Sequence, residues 1–299
     1  MNTHLHETRP LRPAPAVLAA TRRSAPPPAP GDLLDGSLRV TRRLGSGGEC
    51  DVFAAWDPSQ RSPVAVKITR DEDLLDAVRR LAAERAPLAA VRHPNLVRLL
   101  GASASAHHCY LVLEALNPEA LSERVRREAL SPEKAVRVVR EVAGALAALH
   151  EAGWAHRDVK AENVLFGFDD RAVLTDLGLA CDRTLRGPQL RRSQGTPAYM
   201  APEVITEQQI DFTGLCAADQ YALAVTAFFA LTGTLPFFYE NVMATLFAHV
   251  TAPVPAVSSR RPELARFDAV LTRALAKNPA ERFASVADFS AALGAALAA

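Results

Sequence analysis

The chain changes its hydrophobic period once along its length, and that change decides the class of fold open to it. Through SLRVTRRL, CDVFAAWD and SPVAVKITR, from Ser37 to Arg70, apolar and polar residues alternate, with glycine and Asp-Pro breaks between the runs. A period of two belongs to strands with one buried face, and short breaks join such strands antiparallel. HCYLVLEAL reads as one more buried strand. After it the period lengthens to that of helices. Ser131-Pro132 supplies an N-cap and a proline at the first helical position, and EKAVRVVREVAGALAALHEAG follows as an amphipathic helix ending at Gly153. Further helices are expected at Ala217–Leu231, Glu240–Val250, Phe267–Ala276 and Ser285–Ala298. An earlier helical stretch, Asp71 to Val91, carries Pro87, which should kink or shorten it. A strand-rich first part and a helical second part make an α+β chain of two lobes.

Composition narrows function by exclusion. A length of 299 residues suffices for one large or two modest domains with buried cores. Residues 1–37 are rich in Pro, Ala and Arg, cannot bury a core, and read as a disordered tail. A formal net charge of +1 gives no field to hold nucleic acid or a membrane surface. Cys50, Cys109, Cys181 and Cys216 are widely spaced without a CxxC pair. That spacing argues against a disulfide framework or zinc site and for a reducing cytoplasm. No apolar run is expected to reach the roughly 20 residues a membrane helix needs. AVLAA near the start is too short for a secretory signal.

The polar residues are more informative. LGSGGECDVF contains Gly45 and Gly47, which let backbone N–H groups approach phosphate oxygens. Alone, such a run is an ordinary turn. Downstream, however, VAVK brings Lys67 onto a strand and Glu84 follows on the helix. HRDVKAENVLF, His156–Phe166, sets His, Arg, Asp, Lys and Asn at fixed spacing. TDLG follows at Thr175–Gly178, GTPAYMAPE at Gly195–Glu203, Asp219 in AADQYALAV, and Arg282 in NPAERF.

In that order these blocks resemble the protein kinase catalytic domain. LTGTLPF, AHVTAPVP and RALAKNPAERF make the chain most similar to the eukaryotic-like Ser/Thr kinases of bacteria. The resemblance implies the bilobal kinase fold over residues 38–295, with an antiparallel N-lobe at about 38–115 and a helical C-lobe at about 116–295. It implies transfer of the ATP γ-phosphoryl group to Ser/Thr hydroxyls of protein substrates. Mg²⁺ would assist, with Mn²⁺ as a substitute, in a cytoplasmic protein without a membrane span or nucleic-acid partner. Activation-loop autophosphorylation would pass through a transient homodimer.

Residue by residue, the resemblance assigns Asp158, Lys160, Lys67 and Glu84 to catalysis. Nucleotide binding falls to Leu44, Gly45, Ser46, Gly47, Val52, Ala65, Lys67, Glu114, Leu116, Asn163, Leu165 and Asp176, between the lobes. Ala115 would share the adenine contact, and Leu113 would form the back wall. Asn163 and Asp176 are the metal ligands, hard oxygen donors suited to Mg²⁺. His156, Asp219 and the Glu203–Arg282 pair are assigned to structure. Phosphorylation of Thr184 or Ser193, beside Arg183, Arg186, Arg191 and Arg192, would pair with Arg157 and order the loop.

Four positions depart from the family pattern. Cys50 takes the third loop glycine, Leu177 gives DLG, Ala161 stands where proline is usual, and Pro87 follows Glu84 by three residues. Cys50 and Pro87 support the alternative, a pseudokinase that binds nucleotide or partners as a switch. A small-molecule phosphotransferase does not fit GTPAYMAPE, Lys160 or Asp219.

Overall fold

The computed structural model describes residues 26–71, 73–105, 107–184, 195–206 and 210–299. They divide into two units: the chain up to Arg92 with Val97–Leu116, and His93–Leu96 with Asn117–Ala299.

The first unit is built on one six-stranded antiparallel sheet in the order β1-β2-β3-β4-β6-β5. Its strands are β1 (Leu33–Leu34), β2 (Leu38–Ser46), β3 (Cys50–Asp57), β4 (Ser62–Thr69), β5 (Leu99–Ala104) and β6 (Cys109–Glu114). The period of two sends Phe53, Ala55, Val64, Val66 and Ile68 into one core with Leu38 and Val40. Val52, Ala65 and Lys67 therefore take the other face, half-buried. The sheet also corrects the tail boundary. Leu33 and Leu34 pair with Arg39 and Leu38, and Leu34 joins the core.

Helix α1 (Leu74–Ala90) is capped by Asp73, whose carboxylate accepts the N–H of Leu75 at 2.8 Å. Pro87 neither ends nor shortens it. The missing N–H affects only the last turn, the Val91 N–H closes onto the Pro87 carbonyl at 3.0 Å, and Pro87 lies on the buried stripe with Leu81, Glu84 and Leu88.

The second unit is mostly helical: α2 (Leu121–Arg127), α3 (Pro132–Glu151), α4 (Pro202–Thr206), α5 (Phe212–Thr232), α6 (Val242–Thr251), α7 (Asp268–Ala274) and α8 (Val286–Ala298). Ser131 caps α3, and beyond its end Gly153 takes φ +83°, where a Cβ would come 2.6 Å from Arg183 Nε. Two short ribbons complete the unit: β7 (Trp154–Ala155) with β10 (Cys181–Asp182), and β8 (Val164–Phe166) with β9 (Ala172–Leu174).

Helix α5 corrects the expectation about apolar runs. Its 21 residues are long and apolar enough to cross a membrane, the one such helix among the described residues, and most of it is buried within the unit. It is apolar all round because it is a core helix, with α3 and α8 packed against it.

Candidate active site

The first unit contributes a glycine turn and a paired lysine. β2 and β3 are joined across Gly47, Gly48 and Glu49, and the turn closes with Gly47 N–H donating to the Cys50 carbonyl at 2.9 Å. A Cβ at Gly45 or Gly48 would meet nothing within 4 Å, and none of the three glycines has a positive φ. The fold itself does not demand glycine there; a phosphate approaching the backbone would. Cys50 pairs with Thr69 in the β3–β4 ladder, so the third glycine position is ordinary strand.

Val52 stands opposite both Gly45 and Lys67, while Ala65 stands opposite Leu113 and Glu114 opposite Val64. Leu44 and Ser46 are in β2, and Ala115 and Leu116 leave the sheet directly after β6. Lys67 Nζ reaches Glu84 Oε1 at 2.7 Å, with the lysine side chain 13% exposed and the glutamate 6%. The pair is formed despite Pro87.

Sequence reasoning missed the ion pairs around this turn. Asp51, nearly buried on the core-facing side of β3, accepts from Arg70 at 2.6 and 3.0 Å and from Arg43. The hydrogen bond from Arg70 is the main reason its carboxyl is held down to about 2. A signal was available, since Asp51 shares the inward period of Phe53 and Ala55 and a carboxylate there needs a cationic partner.

The second unit contributes the loop between β7 and β8. Asp158 sits at the centre of a closed set. Lys160 Nζ donates to Asp158 Oδ2 at 2.6 Å and to Thr196 Oγ1 at 2.8 Å, and Thr196 Oγ1 donates to Asp158 Oδ1 at 3.1 Å. Asn163 Nδ2 donates to the Asp158 carbonyl at 2.8 Å and to Oδ2 at 3.0 Å. That commits the Asn163 amide nitrogen and leaves its oxygen as a group that could hold a metal. Thr175 bonds the Asn163 carbonyl through N–H at 2.8 Å and Oγ1 at 3.0 Å, bringing the next residue, Asp176, alongside. Two oxygen donors of this kind could hold a divalent cation such as Mg²⁺, which favours oxygen ligands. Leu165 lies on β8, half-buried, and Leu177 is fully buried.

Helix α5 holds this loop from beneath. Asp219 is 1% exposed and accepts the N–H of His156 and of Arg157, each at 2.8 Å. His150 Nε2 lies 2.9 Å from the same carboxylate, a partner the sequence did not announce. Burial would raise the Asp219 pKa, but these hydrogen bonds and the histidines outweigh it and the group is held low. The reward is conformational. Arg157 and Asp176 take φ +69° and +64°, a left-handed conformation that disfavours a long side chain, and Asp219 grips the amide of Arg157 itself. His156 is fully buried, with Nε2 at 3.2 Å from the Thr175 carbonyl. Ala161 opens a 3₁₀ turn ending at Asn163, so the loop keeps its form without proline. Arg282 and Glu203 form a buried bidentate pair at 2.6 and 2.7 Å. Arg183 and Thr184 are exposed, whereas Arg186, Arg191, Arg192 and Ser193 lie outside the described residues.

Comparison with known proteins gives a family and several relatives. Serine/threonine-protein kinase PknE of Mycobacterium tuberculosis is 36% identical over 268 residues, covering 88% of this chain and 46% of PknE. Pkn1 of Myxococcus xanthus is 37% identical over 272 residues, covering 88% and 38%. PknH of Mycobacterium tuberculosis is 33% identical over 267 residues, covering 88% and 42%. The chain thus spans less than half the length of these relatives. The family model described as protein kinase domain matches residues 38–290, and the chain belongs to that family.

Proposed function

We propose that this chain is a serine/threonine protein kinase that moves the γ-phosphoryl group of ATP to hydroxyls of protein substrates. The observation that carries the reading is the closed set Asp158–Lys160–Thr196–Asn163. A carboxylate with a lysine and a hydroxyl bonded to it can orient an incoming hydroxyl and accept its proton, while Lys160 stabilises the phosphoryl oxygens as transfer proceeds. The glycine turn and Lys67 act on the phosphates of the same nucleotide, and Glu84 keeps the Lys67 ammonium in place. Val52, Ala65 and Leu165 hold the base, and Glu114, Ala115 and Leu116 supply its polar contacts.

Family membership implies ATP and a divalent metal; we propose Mg²⁺, with Mn²⁺ as a substitute, held by Asn163 and Asp176. When bound, the ion neutralises charge between the phosphates. A cytoplasmic setting is supported by four cysteines none of which is in a disulfide. Residues 38–295 are taken as the catalytic domain. Activity is further raised by phosphorylation within 176–203, in a transient homodimer. Thr184 is a candidate acceptor; its hydroxyl donates to Asp182 Oδ1 at 2.5 Å and is exposed. No observation favours the pseudokinase, because the Lys67–Glu84 pair is made and Cys50 sits in regular strand.

The test is incubation with Mg·ATP and a generic protein substrate, followed by mass-spectrometric mapping. Phosphoserine and phosphothreonine on the substrate, and phosphate between Asp176 and Glu203 on the chain, are the expected products. No phosphate on either protein would contradict the activity. An active chain bearing none in that segment would contradict only the autophosphorylation.

A further inference from the structure

The tip of the glycine turn is tied to α1. Glu49 is the tip's last residue; its carboxylate accepts from Arg80 Nη1, and its carbonyl accepts the Arg70 N–H at 2.8 Å. Arg80 is itself fixed at its Nε, which donates to Asp71 at 2.8 Å, and that hydrogen bond above all raises its pKa. The base of the turn is tied separately, with Arg70 bonding both Ser46 Oγ and buried Asp51. Between these anchors a Cβ at Gly48 would meet nothing within 4 Å and one at Gly47 only the Cys50 carbonyl at 3.6 Å, so packing does little to fix the turn.

Arg80 and Glu84 are four residues apart on α1 and share one face of it. One helical turn thus carries both the partner of Lys67 and the partner of the turn's tip. We propose that Arg80 is a positioning residue for the phosphate-binding turn: through Glu49 it fixes the turn to α1, so that one helix sets both Lys67 and the tip. The proposal rests on the reading that this turn binds ATP. It gives the missing third glycine a counterpart. With Cys50 in the ladder, only Gly47, Gly48 and Glu49 remain outside the strands, a length that one ion pair at Glu49 can hold.

Glu49 is 65% exposed and Arg80 30%, so the pair contributes little to folding, and its effect should appear in nucleotide affinity. The experiment uses the full chain with Glu49→Ala, Arg80→Ala and the double variant. It measures KM for ATP, kcat, and the affinities for ATP, ADP and adenosine. Each single variant should raise KM for ATP about three- to fivefold, the range of an exposed pair, with kcat unchanged. The double should be no worse than Arg80→Ala alone. Affinity for ATP and ADP should fall while that for adenosine holds, because the turn acts through phosphates; general damage would lower all three. Glu49→Ala changes only an exposed tip and keeps the test valid if Arg80→Ala folds poorly. An unchanged KM in Glu49→Ala, multiplicative effects in the double, or a parallel loss of adenosine affinity each overturns the proposal. An unmodified chain that binds no ATP overturns the underlying reading, and this proposal with it.

Discussion

The two units hold their candidate site residues in opposite ways. In the first unit, Lys67 and the glycine turn are positioned by ion pairs between separate elements: β4 to α1, the turn's tip to α1, β2 to β3, and β3 to Arg70 just after β4. Several of these partners are solvent-exposed, and such pairs are weak, screened by salt and easily exchanged. In the second unit, Asp158 is 10% exposed and its loop hangs from Asp219, which is buried and bonded to two backbone amides. Buried charged hydrogen bonds of that kind break only at high cost. The glycine turn is therefore adjustable, whereas the buried Lys67–Glu84 pair and the Asp158 loop are held firmly. A kinase needs a turn that opens to exchange nucleotide and a base that does not wander.

The comparison breaks first at Asp219. Replacing it with Ala should lower stability by about 3–5 kcal/mol, since one member of a buried charged network leaves the others unsatisfied. Denaturant unfolding measures this, and a loss comparable to that of an exposed pair would remove the claim of rigidity.

Acid should separate the units next. His249 is fully buried, with Nδ1 2.9 Å from the Tyr221 hydroxyl, and burial, aided by Lys277, pushes its pKa down to about 4. An unfolded histidine takes up its proton near 6.5, so the unfolded chain binds more protons between those values and stability falls with pH across that window. The loss is about 3 kcal/mol by pH 4, at about 1.36 kcal/mol per unit. Asp51 in the first unit is also depressed, to about 2, and its contribution is lost only as pH drops below its unfolded value of 3.8. Denaturant titrations from pH 8 to 4.5 should weaken the second unit selectively, and a His249→Gln variant should flatten the response. An unaltered slope in that variant would assign the acid sensitivity elsewhere.

The smallest effect belongs to Cys50. Because it lies in the β3 ladder beside a turn held by ion pairs, Cys50→Gly should lower KM for ATP by no more than about twofold, the scale of a glycine's backbone freedom. A larger change would mean that the strand, and not the turn, controls nucleotide affinity.

Local pattern announced the sheet, the cap of α3 and the residues around Asp158, because alternation, Ser-Pro and HRDVKAEN each act within a few residues. Where the sequence misled, tertiary context prevailed. Pro87 is tolerated because it falls in a last turn that is packed on its buried stripe. α5 is longer and more apolar than the sequence reading expected because a core helix packed on all sides is apolar all round. Leu33 and Leu34 looked like tail because two residues carry no readable period. The bonds from Arg80 to Glu49 and from His150 to Asp219 join residues 31 and 69 positions apart, beyond any local signal.

Asp158 is proposed to receive the substrate hydroxyl. Single-turnover transfer from labelled ATP to a protein substrate should be measured for the unmodified chain and for Asp158→Asn, with ATP affinity determined in parallel. Asparagine keeps the size but replaces one of the two accepting oxygens with an amide donor and cannot accept the proton, so transfer should fall by about a thousandfold while ATP affinity stays within about twofold. Transfer at the unmodified rate in Asp158→Asn would contradict the account.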